Sequence, residues 1–311
     1  MTQKLLLIVG PTAVGKTALS VELAKRFDGE IISGDSMQIY QKLDIGTAKV
    51  TPDEMQGIKH YMLDIKRVEE RFSVADFIAE CARDTRLIAE KGKLPLLVGG
   101  TGFYLHALLN GFRLGHDDYD SSEKERAKWH LFAQKNGKEA LWKELATLDP
   151  KAAQKIPWQN EQRVVRALEV YTKTGQLFSA QNDERVSTYD PLVIGLTTDR
   201  TLLYERINQR VDLMVKQGLV EEAKELYQKG GELLPAGKGI GYKEFYPYFE
   251  GDLTLDEAIA QVKQNSRRYA KRQLTWFRNK MDVNWFDLVQ KPEQLAQVNK
   301  LVSNWLKEDK K

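Results

Sequence analysis

The sequence predicts an α/β fold: a parallel sheet flanked by helices and interrupted by an all-helical insertion domain. Three observations predict it. Short apolar runs at Leu5–Val9, Glu30–Ile32 and Leu94–Val98 lack polar alternation, as strands buried on both faces do. The first run opens into Gly10-Pro11-Thr12-Ala13-Val14-Gly15-Lys16-Thr17 and then a helical stretch from Ala18 to Phe27. That is the phosphate-loop pattern GxxxxGK[ST] in its required strand–turn–helix setting, so the sheet is P-loop NTPase-like. Strand-like runs then cease between residues 115 and 190, where helical segments follow one another. The expected organisation is a core of residues 1–114 and 191–311, with residues 115–190 inserted.

The phosphate loop carries the first chemistry. Its glycines let backbone N–H groups of residues 10–17 turn inward around phosphate oxygens, and the following helix points its positive end at the same anion. Lys16 adds a point charge, and the Thr17 hydroxyl can hold Mg²⁺. A bound diphosphate or triphosphate follows.

Composition narrows the class. The chain has 311 residues, 42% hydrophobic, enough for a sizeable core. No apolar run can span a bilayer, and the N-terminus lacks a signal-peptide pattern. The single cysteine, Cys81, reads as core filler. A cytoplasmic, monomeric protein is expected. A net charge of only +3 means that nucleic-acid binding must come from local patches.

Taken in order, Glu30–Ile32 runs into Ser33-Gly34-Asp35-Ser36-Met37-Gln38-Ile39-Tyr40. An acidic residue just past a strand sits at the carboxyl edge of the sheet, where ligands bind. Asp35 lies near the phosphate loop if the two strands are neighbours. It reads as a turn cap, a general base or a Mg²⁺-shell carboxylate. Thr51-Pro52-Asp53-Glu54 reads as a helix start, His60–Ile65 as a strand, and Ser73 as the cap of a helix to Lys91. Leu94–Val98 ends in Gly99-Gly100-Thr101-Gly102, a second glycine turn at the same edge. No Walker-B aspartate stands there, which counts against ATP hydrolysis.

The segment 116–122 reads as a polar loop, followed by helices over Glu123–Lys135, Lys138–Leu148 and Glu161–Lys173. In the last of these, Arg163 and Arg166 share a face, where a Glu169 ion pair is the simplest reading. Pro191–Thr197 returns to a strand, and Arg206 and Arg210 lie one turn apart on the next helix, where a kinase would place anion-clamping arginines. Gly237–Lys243 is a glycine-rich loop. Leu255–Lys280 is one long helix with no acid from Lys263 on. Its spacing predicts Arg267, Lys271 and Arg278 on one face with Arg268 and Arg272 beside it, and Tyr269, Trp276 and Phe277 opposite. A basic stripe anchored by aromatics suits a phosphodiester backbone. A strand at Val283–Asp287 and a helix over Pro292–Trp305 complete the chain.

Pattern alone leaves a small-molecule phosphoryl kinase, an enzyme acting on a nucleic acid, and an RNA-binding module. The segments GPTAVGKTALS (10–20), ISGDSMQIY (32–40), DIGTAK (44–49), LLVGGTGFYL (96–105), QRVVRALEVY (162–171), GIGYKE (239–244) and RRYAKRQLTWFR (267–278) then add a resemblance. Together, and in this order, they are similar to the bacterial tRNA dimethylallyltransferase (tRNA isopentenyltransferase) family. The resemblance implies transfer of a dimethylallyl group from dimethylallyl diphosphate to N6 of adenosine 37, in tRNAs reading codons that begin with U. It also implies Mg²⁺, with the anticodon stem-loop and the prenyl donor as partners. On it, Lys16, Thr17 with Mg²⁺ and Arg210 neutralise the leaving diphosphate, Asp35 handles the N6 proton, and Thr101 lies in the channel between donor and acceptor. It further implies tRNA contacts at Asp35, Ser36, Met37, Gln38, Thr101, Arg126, Gln162, Arg163, Val164, Val165 and Arg166. The remaining implied contacts are Lys238, Gly239, Ile240, Gly241, Tyr242, Lys243, Lys271, Arg272, Gln273, Thr275 and Arg278. One departure stands out: Pro157-Trp158-Gln159-Asn160 replaces the family's His-Pro-Asn-Asp-like run. No cysteine/histidine extension of the eukaryotic zinc-finger kind follows the basic helix.

Overall fold

The computed structural model describes residues 2–111, 119–180 and 188–308. In chain order the first elements are β1 (Gln3–Val9), α1 (Lys16–Arg26), β2 (Gly29–Ser33), α2 (Pro52–Met55), β3 (His60–Tyr61), α3 (Val74–Glu90), β4 (Leu94–Gly99) and α4 (Gly102–Leu109). Four helices follow: α5 (Tyr119–Asn136), α6 (Lys138–Leu148), α7 (Pro150–Lys155) and α8 (Glu161–Thr174). The chain then continues through β5 (Tyr189–Leu196), α9 (Arg200–Lys216), α10 (Leu219–Gln228), α11 (Tyr246–Phe249), α12 (Leu255–Lys280), β6 (Asn284–Phe286) and α13 (Leu295–Lys307).

The strands form one sheet in the order β3-β2-β4-β1-β5-β6, and every pairing is parallel. The unbroken apolar run of β1 is explained by its two buried faces. Leu6 and Ile8 join Leu19, Leu23 and Val302 on one side. Leu5, Leu7 and Val9 join Phe77, Leu105 and Phe277 on the other. A third cluster joins Ile39, Tyr40 and Leu43 to Leu219, Tyr242 and Phe245, and so fixes the stretch that follows β2.

The chain divides into two compact units, Met1–Asn110 with Val186–Lys311, and Gly111–Arg185. The first holds the sheet. The second has a core of its own, in which Leu141, Leu145, Ala152, Val164 and Leu168 meet. The boundary expected at 114–115 lies outside the described residues.

Several local expectations need correction. The strand expected over His60–Ile65 stops at Tyr61, because Met62 and Asp64 take φ of 60° and 56° and turn the chain away. Residues 119–122, expected in a loop, belong to α5, while 116–118 lie outside the described residues. α7 was not expected; the Asp149 side chain caps it by accepting from the Ala152 amide at 3.0 Å, with Pro150 in its first turn. α13 begins at Leu295, after a single 3₁₀ turn over Pro292–Gln294.

Candidate active site

The phosphate loop joins the carboxyl end of β1 to α1. Gly10 sits at φ +145°, and a Cβ there would lie 2.6 Å from the Leu196 carbonyl oxygen, so the loop's first position needs glycine twice over. Lys16 Nζ donates to the carbonyls of Gly10 at 3.0 Å and Pro11 at 2.7 Å. Arg206 Nε donates to Ala13 O at 2.9 Å, so α9 grips the loop directly. Burial lowers the Lys16 ammonium to about 8, with Asp35 opposing and Arg210 adding. Burial likewise lowers Arg210, with Glu54 opposing and Arg206 adding. Lys16 and Arg210 therefore hold positive charge in a poorly solvated place, which a bound diphosphate would relieve.

Asp35 reaches this place by a route that the sequence did not reveal. β1 and β2 are not neighbours, because β4 runs between them. The turn after β4 closes the gap. Gly34 N donates to Val98 O at 2.7 Å, and Ser36 N donates to Thr101 Oγ1 at 3.2 Å. The Asp35 carboxylate accepts from its own loop, at Met37 N, over 2.8 Å. Burial raises the Asp35 carboxyl above its usual range, opposed by the Met37 amide, the Lys16 charge and the Gln38 amide. A carboxyl whose proton affinity is raised by burial, within electrostatic reach of Lys16, is suited to taking a proton.

α12 closes the arrangement. Gln273 Nε2 donates to Gly100 O at 3.0 Å, and its Oε1 accepts from Thr12 N at 3.2 Å. One side chain therefore ties the helix to both glycine turns. Sequence reasoning placed Gln273 among RNA contacts, but the structure buries it in this double bond. Tyr269, one turn earlier and expected opposite the basic stripe, is half-buried, with the Arg272 guanidinium 5.7 Å from its ring centroid.

The exposed side of α12 is formed by Arg268, Lys271, Arg272, Thr275 and Arg278. Arg267 leaves the stripe, because its Nη1 donates to Asn208 Oδ1 on α9 at 2.6 Å. An open groove of about 520 Å³ is lined by Arg268, Lys271, Arg272, Thr275, Trp276 and Lys280, among others. Elsewhere in this unit, Met37 lies against Gly239, which brings segment 238–243 beside the Asp35 loop. Lys238 is exposed, with Gly239, Ile240 and Lys243 half-buried. Tyr242 is fully buried and donates to Glu222 Oε1 at 2.7 Å. Glu222 also accepts from the amides of Asp44, Ile45 and Gly46, which locks the DIGTAK turn. Gln38 is spoken for on both ends, by Ser33 Oγ and by the carbonyls of Thr47 and Ala48.

In the second unit, Gln162 and Arg163 are exposed on α8. Arg126 and Arg166 both bond the buried Glu169 carboxylate, at 2.7 and 3.0 Å. Val164 and Val165 are core residues. The side chains of Val164, Val165, Tyr242 and Gln273, all among the positions expected to contact tRNA, are thus turned inward. The departing loop before α8 still ends in a cap: Asn160 Oδ1 accepts from Arg163 N at 3.3 Å.

Comparison with known proteins agrees with this geometry. The pattern described as IPP transferase matches residues 38–280. The chain belongs to the IPP transferase family. A relative from Ligilactobacillus salivarius (strain UCC118), called tRNA dimethylallyltransferase, is 64% identical over 98% of this chain and all of its own length. The solved tRNA isopentenylpyrophosphate transferase of Bacillus halodurans is 48% identical, with a TM-score of 0.74 over 98% of this chain and 97% of that one. A eukaryotic dimethylallyltransferase captured acting on tRNA is 30% identical, with a TM-score of 0.81 over 97% of this chain and 80% of that one. Among the described residues, no helix is long and apolar enough to cross a membrane.

Proposed function

We propose that the protein transfers a dimethylallyl group from dimethylallyl diphosphate to N6 of adenosine 37 in tRNAs reading codons that begin with U, and releases diphosphate. The observation that carries this reading is the convergence of Lys16, Asp35 and Thr101 at one sheet edge, beneath the basic helix α12. The N6 lone pair forms a bond to the allylic carbon. The carbon–oxygen bond to diphosphate breaks, and its electron pair leaves with the diphosphate. The amine's proton passes to Asp35. Lys16, Arg210 and the loop amides stabilise the charge growing on the departing oxygens, which is the largest contribution when an allylic carbon shares positive charge.

The donor set fits Mg²⁺ held largely by the substrate's own phosphate oxygens. Among the described residues, no group of three or more His, Cys, Asp or Glu could hold a metal ion. The Thr17 hydroxyl at the start of α1 is the group this chain would offer, as magnesium at phosphate sites requires few protein ligands. Bound there, the ion would neutralise diphosphate charge.

The adenine must leave its stack to reach Asp35, as bases do in other base-modifying enzymes. Lys271, Arg272, Thr275 and Arg278 on α12, Lys238 and Lys243 in the segment between α10 and α11, and Gln162 and Arg163 on α8 are offered as the backbone-contacting groups.

Mass analysis of an unmodified anticodon stem-loop after exposure to the protein, Mg²⁺ and dimethylallyl diphosphate should show one added dimethylallyl group. Asp35→Ala should retain the RNA in a gel-shift assay and lose about 100-fold or more in turnover, the span expected of a lost general base. Near-normal prenylation by that variant would remove Asp35 from the proton transfer. A phosphorylated product from labelled ATP and nucleosides, with no need for the prenyl donor, would favour a kinase instead.

A further inference from the structure

Ladder pairing between β1 and β4 ends at Val9 and Gly99. Beyond that point a side chain from α12 bridges the two turns. Gln273 Nε2 donates to Gly100 O at 3.0 Å, and its Oε1 accepts from Thr12 N at 3.2 Å. The side chain is buried, so neither bond competes with bulk water. Each end of the bridge continues toward a reacting group. On the donor side, Thr12 follows Gly10 and Pro11, whose carbonyls accept from Lys16 Nζ. On the acceptor side, Thr101 follows Gly100, and its Oγ1 accepts from Ser36 N at 3.2 Å, next to Asp35. A path of hydrogen bonds thus runs from the phosphate loop to the Asp35 loop through the Gln273 amide.

Gly100 carries the same signal independently. A Cβ there would overlap Gln273 Nε2, whereas the nearest atom of any other residue, the Gly10 carbonyl oxygen, lies 3.5 Å away, an ordinary contact. Gly100 is not among the glycines with left-handed φ. What excludes a side chain at position 100 is therefore the Gln273 amide.

Transfer needs the allylic carbon and the N6 amine aligned, with the reacting atoms about 3–3.5 Å apart. The diphosphate is held from one turn and the amine is met from the other, so an error in the spacing of the turns becomes an error in the attack distance. We propose that Gln273 is a positioning residue whose amide sets that spacing, and that position 100 is glycine to admit it. The inference rests on the prenyl-transfer reading above. It gives Gln273 a role inside the protein in place of a direct RNA contact.

Gln273→Met keeps the length and bulk of the side chain and removes both bonds. The test is single-turnover transfer to a limiting anticodon stem-loop, with enzyme, Mg²⁺ and dimethylallyl diphosphate saturating. The rate constant should fall roughly 100-fold, the scale of a misplacement of about 1 Å. Affinities for the stem-loop and for dimethylallyl diphosphate, measured separately, should stay at wild-type values. Saturating enzyme makes this rate constant insensitive to the fraction folded, so a merely structural role would lower the thermal midpoint and leave the rate alone. Gly100→Ala should bring the same loss from the other side of the bridge, and it decides the matter if Gln273→Met does not fold. The double variant should lose no more than either single one, because both break one bridge. An unchanged saturated rate in either variant would overturn the assignment. So would RNA affinity that falls while the rate holds, which would return Gln273 to the RNA surface, and so would losses that add in the double variant. If wild type leaves the stem-loop unmodified, the transfer reading fails and takes this inference with it; a wild type that prenylates no faster than its variants sinks the inference alone.

Discussion

At the scale of single residues, two opposed ionisations set the pH range of the site. Asp35 serves as a base only when ionised, and burial raises its carboxyl above the usual range. Activity should therefore rise with pH along a limb that lies above an ordinary aspartate's titration. Lys16 attracts diphosphate only when protonated, and burial lowers it to about 8. Donor capture should fall as pH rises through that value. Because kcat/KM reports the free enzyme, its profile for dimethylallyl diphosphate should be bell-shaped, with its basic limb near pH 8. Lys16→Arg keeps its charge and should move that limb upward, whatever the cost to the maximum rate. A basic limb left unmoved would assign it to another group. These residues were legible in the sequence because their chemistry is local: a lysine in a phosphate loop and a carboxylate just past a strand announce themselves by type and spacing. The tie that Gln273 makes to both glycine turns was not legible, although the residue itself was named among the tRNA contacts. It depends on which way α12 rolls against those turns, and helical spacing alone offers both faces.

At the scale of elements, the strands were legible because burial on both faces leaves no polar alternation in β1 and β4. Their order was not, since right-handed crossovers allow several parallel arrangements of the same strands. That order is what brings Asp35 and Thr101 together, and it depends on a close approach between β2 and β4. A Cβ at Gly99 would lie 2.4 Å from the Gly34 carbonyl oxygen and 2.5 Å from its carbon, both backbone atoms that cannot swing aside. Gly99→Ala should therefore push the two turns apart at the Gly34–Val98 hydrogen bond. The expected cost is about 1–3 kcal/mol, read as a lower denaturant midpoint. Turnover at temperatures where the variant is fully folded should drop as well, because Thr101 moves away from Ser36. A midpoint equal to wild type would mean that the turns have room to spare and that the convergence does not need this contact. The shortness of β3 was hidden for a different reason. Left-handed φ at Met62 and Asp64 ends the strand, and a methionine gives no sign of that conformation in the sequence.

At the scale of the whole molecule, the question is whether RNA is drawn by overall charge or by one surface. A net charge of +3 on 311 residues gives little long-range pull at physiological salt, where screening acts within about 8 Å. The positive charge is concentrated instead along the acid-free stretch of α12 from Lys263 to Lys280. Binding to a phosphate backbone releases counterions in proportion to the contacts made, so each cation that touches a phosphate has its own share of the salt dependence. Arg272→Ala should flatten the slope of log affinity against log salt by about 0.7–0.9, the share of one phosphate contact. Arg272 also lies over the Tyr269 ring, so the variant should be checked for an unchanged thermal midpoint. Lys300→Ala provides the comparison: it removes the same charge from an exposed position on α13. If overall charge governs binding, the two variants should flatten the slope equally. If the helix surface governs it, only Arg272→Ala should change the slope, and a titration of stem-loop binding across a salt series separates the two results directly.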